Sequence, residues 1–179
     1  MRTKEDRTMK VIMIYDQIQA GAGTKDDKMI GLKATKETVG PAVMMDRYLK
    51  ANDEHVIATL YCGNGYFMEH QQEVVHKLCA MVKKLNADGV MCGPAFNYAG
   101  FALMCAMVAD QLKKENIPVV AAMSAENETT IEQYRNSIPI VRCPKKGGTG
   151  LNETLSNMCR ALHDIAQGQP IADQSEICF

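Results

Sequence analysis

The stretch Gly89–Asn97 (Gly-Val-Met-Cys-Gly-Pro-Ala-Phe-Asn) decides the fold, because an apolar run ends inside it and a helical pattern follows it. Its first four residues are typical of a short buried strand, and Gly93-Pro94 ends that strand. Asn97 stands where an N-cap would begin the next helix. In open α/β sheets, ligands usually bind at such a break, at the carboxyl end of a strand. We therefore expect this stretch to form one wall of a ligand site.

Strand-like runs alternate with helical patterns along the whole chain. The strands are expected at residues 11–15, 56–61, 89–92, 117–122 and 138–141. This alternation predicts an α/β protein with a mostly parallel sheet and helices on both faces. Pro139 places the last strand at a sheet edge, since proline cannot donate to a ladder.

The full prediction is a single-domain three-layer sandwich over residues 1–179. Its five-stranded sheet has the flavodoxin-like order 2-1-3-4-5, numbered along the chain. Residues 1–9 and 169–179 are expected to be loosely ordered tails, because the first is polar and the second shows no clear pattern.

Composition narrows the partners and the compartment. The chain has 20 Lys and Arg against 21 Asp and Glu, a net charge of -1, which disfavours nucleic acid and anionic membranes as partners. No apolar run is long enough to span a bilayer, so we expect a cytoplasmic protein. The seven cysteines contain no Cys-x-x-Cys pair, which is typical of a reduced compartment. The four histidines lack metal-ligand spacing, and neither a metal nor another cofactor is expected.

Four loops should meet at the carboxyl edge of the predicted sheet, at residues 16–23, 62–67, 93–98 and 123–127. They share Gly, Asn, Cys and aromatic residues, which suit a small polar ligand held by amides between aromatic walls. Residues 17–36 are long, polar and without a clear period, and form a candidate lid. Residues 147–150 (Gly-Gly-Thr-Gly) are either an anion cradle or a plain glycine-rich connection.

Cys62 is a weak candidate for a catalytic residue. It ends a strand in a Gly-Asn-Gly turn, where a thiol could face the ligand. A buried, inert thiol is the alternative, since no histidine lies near it in sequence to act as its base.

Several short sequence segments, taken together, resemble a known family. They are Gly40–Ala42, Ile57–Phe67, Gly93–Asn97 with Cys105 downstream, and Glu126-Asn127 after Pro118–Val120. In this order, from about Lys10 to Val141, they are similar to the amino-terminal region of the component B selenoprotein (gamma subunit) of glycine, sarcosine and betaine reductases.

The resemblance implies a reductive deamination with C–N cleavage in an anaerobic organism. In this family a selenocysteine attacks the carbon that bears the amino group, the amine leaves, and the carboxymethyl group passes to a second selenoprotein. That selenocysteine lies in a later half of the family's chain, and none occurs in these 179 residues. The nucleophile is therefore expected on a selenoprotein or cysteine-containing partner subunit.

The resemblance also implies a set of ligand-binding residues, namely Asn64, Tyr66, Phe96, Asn97, Glu126 and Asn127. The two residues Asn64 and Asn97 would hydrogen-bond the ligand, the two rings would wall it, and Glu126 would face an amine or quaternary nitrogen. In the alternative account, both asparagines cap helices and Phe96 packs in the core. The family's arginine after Phe-Asn is replaced here by Tyr98–Gly100, which removes a charge that could bind a carboxylate.

Three hypotheses about function remain open. The first is a small-molecule-binding subunit, or stand-alone half, of a glycine/sarcosine/betaine reductase-like complex, not catalytic alone and binding a small amine or amino-acid-like ligand. The second is a non-catalytic ligand-binding or regulatory protein with the same fold. Both include self-association into a homo-oligomer. The third is an independent enzyme that uses Cys62.

Overall fold

A single mostly parallel sheet forms the centre of the computed structural model, which describes residues 7–179. The strands of this part of the chain are β1 (Met9–Asp16), β2 (Lys33–Thr35), β3 (Glu54–Cys62), β4 (Gly89–Cys92), β5 (Val119–Met123) and β6 (Ile140–Arg142). Their order in the sheet is β2-β3-β1-β4-β5-β6. Only the short β2 runs antiparallel to its neighbour.

Helices cover both faces of the sheet. A 3-10 helix (Gly40–Met45) precedes α1 (Asp46–Ala51), and the other helices are α2 (Asn64–Glu69), α3 (Gln71–Lys84), α4 (Ala99–Lys114), α5 (Glu128–Tyr134), α6 (Leu151–Ala166) and α7 (Gln174–Ile177). Helix α4 packs on β1, β4 and β5 together with α2, α3 and α5, whereas α6 packs on β4, β5 and β6 together with α1. The predicted three-layer α/β sandwich is confirmed.

Strand β1 is the most deeply enclosed element. All of its residues except Lys10 are buried. It pairs in parallel with β3 on one side and with β4 on the other. A strand that is enclosed in this way has a continuous run of apolar residues in its sequence. Such a run at residues 11–15 predicted β1.

The strand order differs from the predicted five-stranded order because of β2. This three-residue strand lies in the loop that was expected to be irregular, and pairs antiparallel with the end of β3. Its residues are not buried, so no apolar pattern marks it. Without β2, the five parallel strands stand in the predicted relative order.

The carboxy-terminal segment is not a loose tail, which corrects that prediction. Ile171 and Cys178 are buried, and Cys178 forms an antiparallel bridge with Val141 of the edge strand β6. The Phe179 N–H donates to the Ile140 carbonyl at 3.0 Å. At the other end, Met9 already belongs to β1, and residues 1–6 of the expected amino-terminal tail lie outside the described residues.

The loop of residues 17–36 is fastened onto the turn between β3 and α2. The Gly63 N–H donates to the Ile30 carbonyl at 2.7 Å, and the Tyr66 N–H donates to the Lys28 carbonyl at 2.9 Å. A Cβ atom at Gly63 would lie 2.1 Å from that Lys28 oxygen. Only glycine therefore allows the two backbones to approach this closely.

Gly63→Ala is expected to destabilise the protein by about 1–3 kcal/mol, since the added methyl group must displace residues 28–30. Urea denaturation would measure the loss, and limited proteolysis would show faster cleavage within residues 17–36. Gly31→Ala in the same loop is the matched control, because a Cβ there meets nothing within 4 Å. Equal stability of the two variants would contradict the close approach at Gly63.

Glu54, at the start of β3, is a buried carboxyl group with only 2% of its surface exposed. Burial raises the pKa of Glu54 to about 9, with a smaller opposing effect from the Cys159 thiol. Between the ordinary pKa of a glutamate and this raised value, the folded protein holds a proton that the unfolded chain releases.

Stability is therefore expected to fall as the pH rises through this window, by up to about 1.4 kcal/mol per pH unit from this group. Glu54→Gln, which keeps a neutral side chain, should remove this contribution and flatten the profile between pH 5 and pH 9. Urea denaturation at a series of pH values measures it, with Glu132→Gln on exposed α5 as the control. An unchanged slope in Glu54→Gln would show that Glu54 is ionised in the fold.

Candidate functional site

The order in which successive strands are added to the sheet reverses between β1 and β4. From β1 the chain moves outward to β3, and then crosses back to β4 and onward to β5. The carboxyl ends of β1 and β4 therefore stand side by side at the switch point where open α/β sheets bind ligands. Asp16 ends β1 here and is fully buried, and burial raises its pKa.

The loop after β4 is drawn tightly against β5. Gly93 has φ +113°, and a Cβ there would lie 2.7 Å from the Ala122 carbonyl oxygen. Three residues later, Phe96 has φ +52°, in the left-handed region that residues other than glycine rarely adopt. Hydrogen bonds from the turn after β5 hold Phe96 in this conformation.

The Phe96 carbonyl accepts two hydrogen bonds from the turn after β5. Asn127 Nδ2 donates at 2.7 Å and the Ser124 N–H donates at 2.9 Å. Asn127 Nδ2 also donates to the Ser124 carbonyl at 3.2 Å, and Asn127 is buried. The Asn127 amide group thus fixes the position of Phe96, which lies with 4% of its surface exposed beside Tyr98.

Asn97 does not cap helix α4, contrary to the expectation from sequence. The N-cap of α4 is Tyr98, which makes no side-chain cap. The exposed Asn97 side chain turns to a loop 49 residues further along the chain, where its Oδ1 accepts a hydrogen bond from the Lys146 N–H at 2.9 Å. The segment between β6 and α6 thereby becomes part of the site.

Two lysines of this segment carry positive charge to the site. Lys146 Nζ lies 5.1 Å from the centroid of the Phe96 ring, within cation–π range. Glu126 is exposed, and its pKa is lowered by the Ser124 hydroxyl, by its own backbone N–H and by the nearby Lys145. Both lysines were missed from the sequence, because only the loops after the first four predicted strands were expected to form the ligand site at the carboxyl edge of the sheet. The fifth parallel strand, followed by Lys145-Lys146 and a glycine-rich run, was the available signal.

Asn64 and Tyr66 lie on α2 and form a second group at the same edge. The N-cap of α2 is Gly63, so Asn64 does not cap the helix, and its N–H donates to Gln17 Oε1 at 3.1 Å. A Cβ at Gly100 would lie 3.8 Å from Asn64 Cβ, which places Asn64 beside the start of α4. The Tyr66 ring contacts His70 at 4.6 Å between centroids.

Cys62 is fully buried at the end of β3. Its Sγ lies 3.6 Å from Met104 Sδ, and burial, together with the negative charge of Asp16, raises the pKa of its thiol to about 12. The other six cysteines are also buried with free thiols, and burial raises the pKa of each. These environments disfavour a thiolate at neutral pH.

Residues 7–179 contain neither a candidate membrane-spanning helix nor a candidate metal cluster. No helix in this part of the chain is both long and apolar enough to cross a bilayer. No three of its His, Cys, Asp and Glu residues are arranged to hold a metal ion.

Comparison with known proteins gives a consistent family assignment. The family model described as glycine/sarcosine/betaine reductase selenoprotein B matches residues 8–178, which include the Lys145-Lys146 segment and most of the carboxy-terminal segment. No solved structure matches the chain significantly.

Individual relatives carry related names. The chain is 28% identical over 162 residues to the glycine reductase complex component B subunit gamma of Symbiobacterium thermophilum, covering 90% of this chain and 37% of that protein. It is 36% identical over 104 residues to the protein of that name from Carboxydothermus hydrogenoformans, covering 58% of this chain and 23% of the relative. It is 24% identical over 164 residues to the sarcosine reductase complex component B subunit beta of Peptoclostridium acidaminophilum, covering 91% of this chain and 37% of that protein.

The matched regions thus cover only 23–37% of the length of these curated relatives. The family match, by contrast, runs through every strand of the sheet and through each loop at its carboxyl edge. This protein belongs to the glycine/sarcosine/betaine reductase selenoprotein B family.

Proposed function

We propose that this chain is the small-molecule-binding part of a glycine/sarcosine/betaine reductase-like complex. The observation that carries the proposal is the family match over residues 8–178. The matched residues include the loops at the carboxyl edge of the sheet. These loops carry Glu126, the two lysines Lys145 and Lys146, and Phe96. The relatives are named as component B subunits of glycine and sarcosine reductase complexes.

The ligand is a small amine or amino-acid-like molecule. Glu126 supplies an exposed carboxylate, and its lowered pKa favours the ionised form, which suits a positively charged nitrogen. The turn that carries Glu126 is held to the loop after β4, because Asn127 Nδ2 donates to the carbonyl of the nearly fully buried Phe96. A few precisely placed polar groups on a rigid backbone are what fixes the orientation of a small ligand.

The nucleophile comes from outside residues 1–179. The family's reaction, as the resemblance implies, forms a selenium–carbon bond while the C–N bond breaks and the amine leaves with the electron pair. A nucleophile for that step must be ionised, and burial raises the pKa of all seven thiols here. A selenoprotein or cysteine-containing partner would supply it, and this chain would hold and orient the ligand in an oligomeric, cytoplasmic assembly.

Glycine, sarcosine and betaine are expected to raise the melting temperature of the protein, because a ligand that binds only the folded state stabilises it. Glu126→Gln should weaken the affinity for each by about fivefold, since the exposed side chain would lose its attraction for the positively charged nitrogen. Isothermal titration calorimetry measures the change, with Glu132→Gln on α5 as the matched control.

Two outcomes would count against this account. If none of the three compounds binds the wild-type protein, the proposed ligand class is wrong. If they bind and Glu126→Gln matches Glu132→Gln, Glu126 does not face the ligand. Binding in the absence of turnover with any selenoprotein partner would favour a regulatory ligand-binding protein.

The hypothesis of an independent Cys62 enzyme has its own test. At pH 8 the native protein should react with a thiol reagent far more slowly than the unfolded chain, in which all seven cysteines are exposed. The physical reason is the raised pKa of about 12 and the complete burial of Cys62. A fast-reacting thiol that disappears in Cys62→Ala would revive Cys62 as a nucleophile.

A further inference from the structure

We propose that Lys146, on the loop between β6 and α6, binds the carboxylate group of the ligand at this site. This inference rests on the proposed function and deepens it, because it assigns the recognition of the acidic half of an amino-acid-like ligand. Lys145 strengthens the positive potential beside it. Neither lysine belonged to the site expected from sequence, which considered only residues 147–150 of this loop, as an anion cradle.

Contacts fix the loop against the site. The Lys146 N–H donates to Asn97 Oδ1 at 2.9 Å, and Lys146 Nζ lies 5.1 Å from the Phe96 ring centroid. Phe96 is in turn held by Asn127 through its carbonyl. The ammonium group of Lys146 is therefore positioned over a rigid part of the structure.

The positive charge of Lys146 is available to a ligand. Within residues 7–179 the ion pairs all involve other residues, so neither Lys145 nor Lys146 is neutralised by a carboxylate. Both lysines are exposed. An ammonium group that rests on an aromatic ring can leave it for a carboxylate, since a charge-assisted hydrogen bond is the stronger interaction.

The loop after β4 and the turn after β5 carry no cation of their own. Residues 85–112 contain no lysine or arginine, and neither do residues 115–134. These ranges include the whole loop after β4 and the turn after β5. A carboxylate bound beside Phe96 would need a counter-charge from another loop, and Lys146 of the loop between β6 and α6 contacts the Phe96 ring.

The site carries both signs of charge without cancelling them. Lys145 lies close enough to Glu126 to lower its pKa, yet the two side chains form no direct ion pair. Separate acidic and basic groups at one edge are complementary to a zwitterion, whose ammonium group would face Glu126 and whose carboxylate would face Lys146. This arrangement would discriminate against amines that lack a carboxylate.

The Lys146 side chain is exposed on a loop whose glycines also face open space. Gly147 and Gly150 have φ +80° and +97°, and a Cβ at either position would meet nothing within 4 Å. The loop is open to solvent on this side, while its Lys146 N–H stays anchored to Asn97. The side chain can thus reorient toward a ligand without a change in the surrounding core.

The decisive comparison uses betaine and choline, which share a trimethylammonium group and differ in a carboxylate or a hydroxyl. By calorimetric titration, Lys146→Ala is expected to weaken betaine binding by about tenfold. Choline binding should change by less than about twofold, because choline offers no carboxylate to the lost charge. Lys146→Arg should retain betaine binding, and Lys84→Ala on α3 is the matched control for loss of an exposed lysine.

The outcomes separate this inference from the proposed function. If wild type binds betaine and Lys146→Ala binds it equally well, or loses betaine and choline alike, Lys146 does not recognise the carboxylate and the proposed function stands. If wild type binds neither betaine nor glycine, the proposed function fails and this inference with it. Hydrogen exchange gives a second readout: betaine, but not choline, should slow exchange in residues 144–150.

Discussion

The parallel pairing of β1 with β3 on one side and β4 on the other is the constraint on which the rest of the structure depends. It removes the middle of β1 from solvent on both edges and both faces, so residues 11–15 have to be apolar. It also sets the point where the strand order reverses. Because every parallel strand ends at the same edge, loops far apart in sequence meet there without any contact of their own to guide them.

Much of this arrangement could be predicted from the sequence, and the exceptions have physical causes. Apolar runs located the parallel strands, and β4 was predicted at its observed bounds, Gly89–Cys92. Strand β2 was not predicted, because three residues that are not buried carry no periodic signal. The approach of residues 28–30 to Gly63 could not be predicted from the sequence either, because it is a backbone contact that depends on the absence of a side chain.

The site was predicted less completely than the fold. The loops after the first four strands were correctly expected at one edge, yet a contact such as Asn97 with Lys146 spans 49 residues and depends on one side-chain rotamer. The Asn127 amide group, expected to meet a ligand, donates instead to backbone carbonyls. Asn64, Tyr66 and Glu126 keep their predicted roles as hypotheses, because half-buried and exposed side chains leave little trace in the pattern of hydrophobic residues.

The two edges of the sheet differ in how their backbone groups are shielded from pairing with other molecules. An exposed strand edge can recruit strands from other molecules into a growing sheet. At the β6 edge, Cys178 and Phe179 occupy backbone groups of Val141 and Ile140 that would otherwise be open to such pairing. At the opposite edge, β2 is three residues long and begins with Lys33. The β6 edge is thus covered by the carboxy-terminal segment, whereas the β2 edge is short and carries a charged residue. Both features disfavour aggregation through strand pairing.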